Sequence, residues 1–279
     1  MIKKDVELYG RKTFFIVPDA SLIPKTYLEE FFENGYETYI INDDYTCSIQ
    51  TKVREITKLF PGSILYFNID ATISGIEWKS YIRELSEFFG DENLIGIFYS
   101  SKQNPEDEEK IKKYYIEQLD IKAGCFALSA RNHDNFESIL KVLEKTGARG
   151  RRNNVRANCD SSSFVQFNYD GQDFNAQLLD INISHFRCNL PSSTSKFQIF
   201  DKVRRVKLSF ADYSFVSDAV LIMKRDSEGK NLCIFMFIKK DDMPDLEQSD
   251  SKLLNQKIYQ IVLNENMDKL QNVFKTADK

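Results

Sequence analysis

The sequence predicts an α/β domain built on a doubly wound, five-stranded parallel sheet, followed by a small antiparallel β-barrel with a C-terminal helix. Three observations lead there. In the first half short apolar runs alternate with amphipathic ones, and parallel strands need such crossover helices. In the second half short segments alternate apolar and polar residues between turn signals. Between the halves lies Arg151–Asp160, RRNNVRANCD, with three arginines in six residues. The boundary is expected there, giving an α/β domain over 1–148 and a barrel with its helix over 149–279.

The first half reads as five βα units. Residues 13–17, TFFIV, form an apolar run typical of a strand buried on both faces, broken by Pro18 and Asp19. Leu28, Phe31 and Phe32 fall at helical spacing, and Asn34-Gly35 ends that helix. TYII over 38–41 is the second strand and SIQTKVREITKLF the next helix, stopped by Pro61-Gly62. SILYFNI is the third strand, with Asp70 at its end. Trp78, Ile82, Leu85 and Phe89 stripe the following helix. LIGIFYS, a polar helix opened by Pro105, IKAGCFAL and a helix capped by Asn132 complete the series.

In the second half SSFVQFNY and FNAQLLDINI flank Asp170-Gly171, a strong hairpin signal. HFRCNLP, a PSSTSK loop and RRVKLSF follow, then a second hairpin whose arms are SFVSDAVLIMKR and NLCIFMFIKK, joined at DSEGK. The last segment is helical, with Leu254, Ile258, Ile261 and Val262 on one stripe and Leu263, Met267, Leu270 and Phe274 on another. Two stripes require two surfaces or a bend. Five or six short strands plus a helix make a small closed barrel with a helical lid.

Composition narrows the function. A net charge of −4 over 279 residues argues against a nucleic-acid polymer as partner, and no run approaches the ~20 apolar residues of a membrane span. The five scattered cysteines fit reduced thiols in a cytoplasm. His133 and His185 lie far apart and form no metal-ligand pattern, so no metal and no cofactor are expected. There is no Gly-rich phosphate loop and no Ser-His-Asp or Cys-His arrangement, so the chain reads as a non-enzyme.

Two groups of residues remain. Ligand sites in doubly wound sheets gather at the C-terminal strand ends, which here carry Asp19, Asp43, Asp70 and Ser100/Ser101. Residues 11–146 resemble a response-regulator receiver, a flavodoxin-like fold. The resemblance makes Asp70 the phosphoacceptor position. Of the family's acidic pair after the first strand only Asp19 is present, and ALSAR replaces the lysine after the fifth strand. Asp70 is therefore expected to be vestigial, and the domain to be kept as a surface for a protein partner.

The second group is the arginine stretch. Each guanidinium offers a rigid fork that matches a phosphate, and a flat face that stacks on a base. By itself such a run also reads as a solvated hinge. Placed before a barrel, RRNNVR resembles the RRxxxR motif of the PilZ family over about residues 149–275. That family binds the bacterial second messenger cyclic di-GMP. The resemblance implies a ligand clamp of Arg151, Arg152 and Arg156, completed by Asp180, Asn182 and Ser184 in LLDINISHFR. The family's Asp/Asn-x-Ser-x-x-Gly motif fits in two registers, starting at Asn182 or at Asp180, and its glycine is replaced by Arg187 or His185 respectively. Either residue would be strained or obstructive if the place demands glycine, whereas Arg187 could add a phosphate donor. The implied function is a cyclic di-GMP receptor whose linker orders on binding. The alternative is a ligand-free adaptor acting through protein contacts. As linker charges, Arg152 and Arg156 are expected to matter little for stability.

Overall fold

The computed structural model describes residues 2–44, 46–90, 92–101, 104–129, 134–191, 197–227 and 230–277. Asn132, His133, the end of the ALSAR run, most of the PSSTSK loop and the tip of the DSEGK hairpin lie outside them. By compactness the chain divides into one unit of Met1–Asn153 with Asn266–Lys279, and a second of Asn154–Glu265.

The first unit opens with a helix that the sequence reading did not foresee, α1 (Ile2–Tyr9). The strands follow as β1 (Thr13–Ile16), β2 (Thr38–Ile41), β3 (Ile64–Asn68), β4 (Leu94–Ser100) and β5 (Cys125–Leu128). All are parallel, in the order β2-β1-β3-β4-β5, the arrangement of flavodoxin-type doubly wound sheets. Every residue of β1 and β3 is buried, as unbroken apolar strands require. The crossovers are α2 (Thr26–Glu33), α3 (Ile49–Leu59), α4 (Trp78–Phe89), α5 (Pro105–Lys112) with a π-helical turn over Lys113–Gln118, and α6 (Asp134–Lys145). Their starts follow local chemistry. Ser48 Oγ accepts from Thr51 N at 3.1 Å, and Asn104 Oδ1 accepts from Glu106 N at 3.1 Å, one residue before Pro105.

The second unit contains β6 (Ala157–Asn158), β7 (Phe164–Tyr169), β8 (Gln172–Ile181), β9 (His185–Pro191), β10 (Lys202–Phe210), β11 (Tyr213–Ser227) and β12 (Lys230–Ile238). Pairing runs β8-β7-β10-β11-β12-β9 and returns from β9 to β8, which closes a six-stranded antiparallel barrel, with β6 added beside β8. Asp170 and Gly171 both have positive φ, 52° and 74°, as an Asp-Gly hairpin turn demands. Register shifts at Val203–Val206, Leu221–Met223 and Leu178–Asp180 mark bulges, the usual means of curling a sheet into a small barrel. The interior is apolar, with Val165, Leu178, Phe186, Leu208, Leu221, Phe235 and Phe237 buried.

The terminal helix, α7 (Gln248–Ala277), is continuous. Its buried positions form one series, Leu254, Ile258, Val262, Asn266, Leu270 and Phe274, every fourth residue. At ~100° per residue such a series turns about 200° around the helix from first to last, which explains the two stripes seen in the sequence without a bend. The residues from Asn266 group with the α/β unit. There Asn266 Nδ2 donates to Tyr39 Oη at 2.7 Å, and the buried Lys52 lies 5.8 Å from the centre of the Phe274 ring. The expected barrel domain, 149–279, thus differs from the compact unit at both ends.

Candidate ligand-binding site

In the barrel unit the site is built from the end of β8 outward. β6 zips antiparallel onto that end, pairing Ala157 with Ile181 and Asn158 with Asp180. This register brings Arg156, the residue before β6, to Asp180, and Arg156 Nη1 donates to Asp180 Oδ1 at 3.2 Å. On the other side β9 pairs Arg187 directly with Asp180, just past the bulge, and Arg187 Nη2 lies 2.5 Å from Asp180 Oδ2. Asp180 is only 6% exposed in its side chain, whereas Arg156 and Arg187 are 26% and 38% exposed. One buried carboxylate therefore positions two half-exposed guanidiniums, one on each oxygen.

The turn between β8 and β9 is held by Asn182. Its Oδ1 accepts from Ser184 N at 2.8 Å, His185 N at 2.7 Å and Ser184 Oγ at 3.0 Å. Asn182 is buried, so its carbonyl is spent on shaping the turn. Ser184 Oγ accepts from Asn154 Nδ2 at 3.1 Å and lies 2.7 Å from His185 Nδ1. Burial, and secondarily the Arg156 charge, hold the His185 pKa below its ordinary value, so the ring is neutral at pH 7. Neither His185 nor Arg187 has a positive φ; both belong to extended β9. The expected backbone strain at this place is absent.

Arg151 and Arg152 are held differently. Both belong to the α/β unit, where the chain after α6 runs back along the end of α1. Arg151 N donates to Glu7 O at 3.0 Å and Arg152 N to Leu8 O at 3.3 Å. The approach is so close that a Cβ on Gly150 would sit 2.4 Å from Gly10 N and 2.6 Å from Leu8 O; only glycine fits there. The Arg151 guanidinium pairs with Glu7, and Arg152 stacks on Tyr9 with its Cζ 4.3 Å from the ring centre. Nothing in the local sequence signals these partners, which lie more than 140 residues away.

At the C-terminal ends of the parallel strands, Asp19, Asp43, Asp70 and Ser100 line one open cleft of about 430 Å³ with Asn42 and Asn68. Asp70 Oδ2 accepts from Ser100 N at 2.6 Å. Asp19 accepts from Ser21 N at 2.7 Å, and that amide holds its carboxyl below the usual range. Ser101 turns away and donates to Glu108 at 3.1 Å. Among the described residues no group of three His, Cys, Asp or Glu side chains is disposed to hold a metal ion. No helix among them is long and apolar enough to cross a membrane.

No family model matches the sequence, and no curated protein does. Solved structures give a partial likeness. The PilZ domain of YcgR from Escherichia coli, bound to c-di-GMP, is 17% identical with a TM-score of 0.36, over 43% of this chain and 98% of that one. The K. pneumonia MrkH–c-di-GMP complex is 15% identical with a TM-score of 0.37, over 42% and 55%. The Bacillus subtilis inhibitor of motility, MotI/DgrA, is 16% identical with a TM-score of 0.34, over 41% and 53%. This chain thus spans about half the length of the MrkH and MotI chains it matches.

Proposed function

We propose that the protein is a non-enzymatic cytoplasmic receptor for cyclic di-GMP, clamped by Arg151, Arg152 and Arg156 with Asp180, Asn182 and Ser184. One observation carries the reading: the last arginine of RRNNVR meets a buried aspartate on the outside of a closed antiparallel barrel. The roles follow from the chemistry. Arg156 is pre-oriented by Asp180, so its guanidinium loses little freedom on meeting a phosphate. Asp180 is an acceptor suited to the N–H edge of a guanine. Asn182 acts through the turn it holds and Ser184 through its hydroxyl. Arg151 and Arg152 join once released from Glu7 and Tyr9, which makes the linker the moving part.

The receiver-like α/β unit serves in this reading as a surface for a protein partner, with Asp70 a vestigial phosphoacceptor. Its bond to the Ser100 amide and the absence of a metal-holding group among the described residues favour a silent site. Calorimetry with cyclic di-GMP tests the receptor reading, with limited proteolysis of the 149–156 segment in parallel. Binding with altered linker protection supports receptor and switch together. Binding without it removes the switch, and no binding gives the case to a ligand-free adaptor.

A further inference from the structure

His185, the first residue of β9, lies outside the clamp proposed above. We infer that His185 is a base-reading residue, whose ring nitrogen Nε2 accepts a hydrogen bond from the N–H edge of a guanine. The inference rests on the cyclic di-GMP reading.

Hydrogen bonding decides which nitrogen is open. The Ser184 hydroxyl has one proton, which it gives to Asn182 Oδ1 at 3.0 Å, and it accepts from Asn154 Nδ2 at 3.1 Å. Toward His185 Nδ1, 2.7 Å away, this oxygen can only accept, so Nδ1 carries the ring proton. A neutral imidazole then keeps its lone pair on Nε2. That atom makes no hydrogen bond among the described residues, and it is not shut off from solvent. Burial, and secondarily the Arg156 charge, hold the ring neutral, so Nε2 remains an acceptor at pH 7.

The residue is also held in place. His185 N donates to Asn182 Oδ1 at 2.7 Å, Asn182 N donates to His185 O at 2.9 Å, and β12 sets Met236 opposite His185. An acceptor fixed in this way loses little freedom on binding. Its chemistry selects the partner. A lone pair repels phosphate oxygens, which are acceptors themselves, whereas guanine offers its ring N–H and its amino group. Asp180, the other acceptor of the site, is 6% exposed and gives one oxygen to each of Arg156 and Arg187. His185 supplies an acceptor that solvent, and therefore a base, can reach.

The test compares cyclic di-GMP affinity of the full chain with that of His185→Leu and His185→Gln by calorimetry. Loss of one neutral hydrogen bond costs about five- to tenfold in affinity. The Leu variant is expected to lose that much, and Gln less, since its side-chain carbonyl can stand in for Nε2. The ribose 2′-hydroxyl is a donor too, so the 2′-deoxy analogue of the ligand is titrated in parallel. An equal fold loss on His185→Leu for both ligands places the contact on the base. A second readout needs no variant. In the unmodified chain the nitrogen-15 resonance of His185 Nε2 should be that of an unprotonated nitrogen, and it should shift on ligand addition while the Nδ1–H signal persists. Unchanged affinity in His185→Leu, a loss that vanishes with the 2′-deoxy ligand, or a ring protonated at Nε2 overturns the inference while leaving the receptor reading intact. No binding by the unmodified chain overturns both.

Discussion

Arg152 and Arg156 are four residues apart in one stretch, yet one lies on the face of an exposed tyrosine and the other against a buried carboxylate. The difference decides what each can contribute. The Arg156 pair removes Asp180 from water, and such a pair matters to folding because either charge left alone is costly. The Arg151–Glu7 pair is open to solvent and the half-buried Arg152 lies on an exposed ring, where an ion pair or a cation–π contact contributes ~1 kcal/mol or less. A single motif is thus divided between a fixed half and a releasable half. The sequence expectation that neither Arg152 nor Arg156 matters much for stability is kept for the first and revised for the second.

The largest effect that sharpens this contrast is expected at Asp180. Asp180→Ala leaves two guanidiniums facing each other and should lower the unfolding free energy by about 3 kcal/mol in a denaturant titration, with loss of ligand binding. Arg156→Ala should cost ~1–2 kcal/mol, because Arg187 still satisfies one oxygen of Asp180. Arg152→Ala should leave stability unchanged while weakening ligand binding. Equal stability losses at 152 and 156 would break the comparison.

A smaller effect, of opposite sign, is expected from the partners of the releasable half. Glu7→Gln with Tyr9→Ala removes contacts that compete for Arg151 and Arg152, and should tighten cyclic di-GMP binding about three- to tenfold by calorimetry. Weaker binding instead would mean that α1 orients the arginines for the ligand.

The smallest effect concerns pH. His185 has a folded-state pKa below its unfolded value, so the unfolded chain takes up the proton first. Stability should therefore fall as pH drops below about 6.5, the ordinary histidine value, until the folded-state pKa is passed. Melting temperatures at pH 7.5 and 5.5 should draw closer together in His185→Gln than in the unmodified protein.

The sheet was legible because its strands are continuous apolar runs between helices with local start and stop signals such as Ser48 and Pro105. The barrel strands were legible from their alternation, and Asp170-Gly171 from its turn chemistry. The two-residue β6 was not, since two residues carry no period. The helix α7 was read as two-faced because a strict every-fourth series drifts around the axis. In the site, residue types pointed to Arg156, Asp180 and Ser184. Their mutual geometry depends on the bulge between Leu178 and Asp180, which sets which side chain faces Arg187 and has no sequence signature here. The engagement of Arg151 by Glu7 spans 144 residues and was invisible for the same reason.

The central claim is that RRNNVR clamps a cyclic dinucleotide through the arginine that Asp180 holds. Its most direct test is calorimetric titration of cyclic di-GMP into the unmodified protein and into Arg156→Ala, with Arg225→Ala as a distant control. The account predicts saturable one-site heat for the unmodified protein and for Arg225→Ala, and affinity at least ~30-fold weaker for Arg156→Ala. Binding by Arg156→Ala as tight as that of the unmodified protein would contradict it.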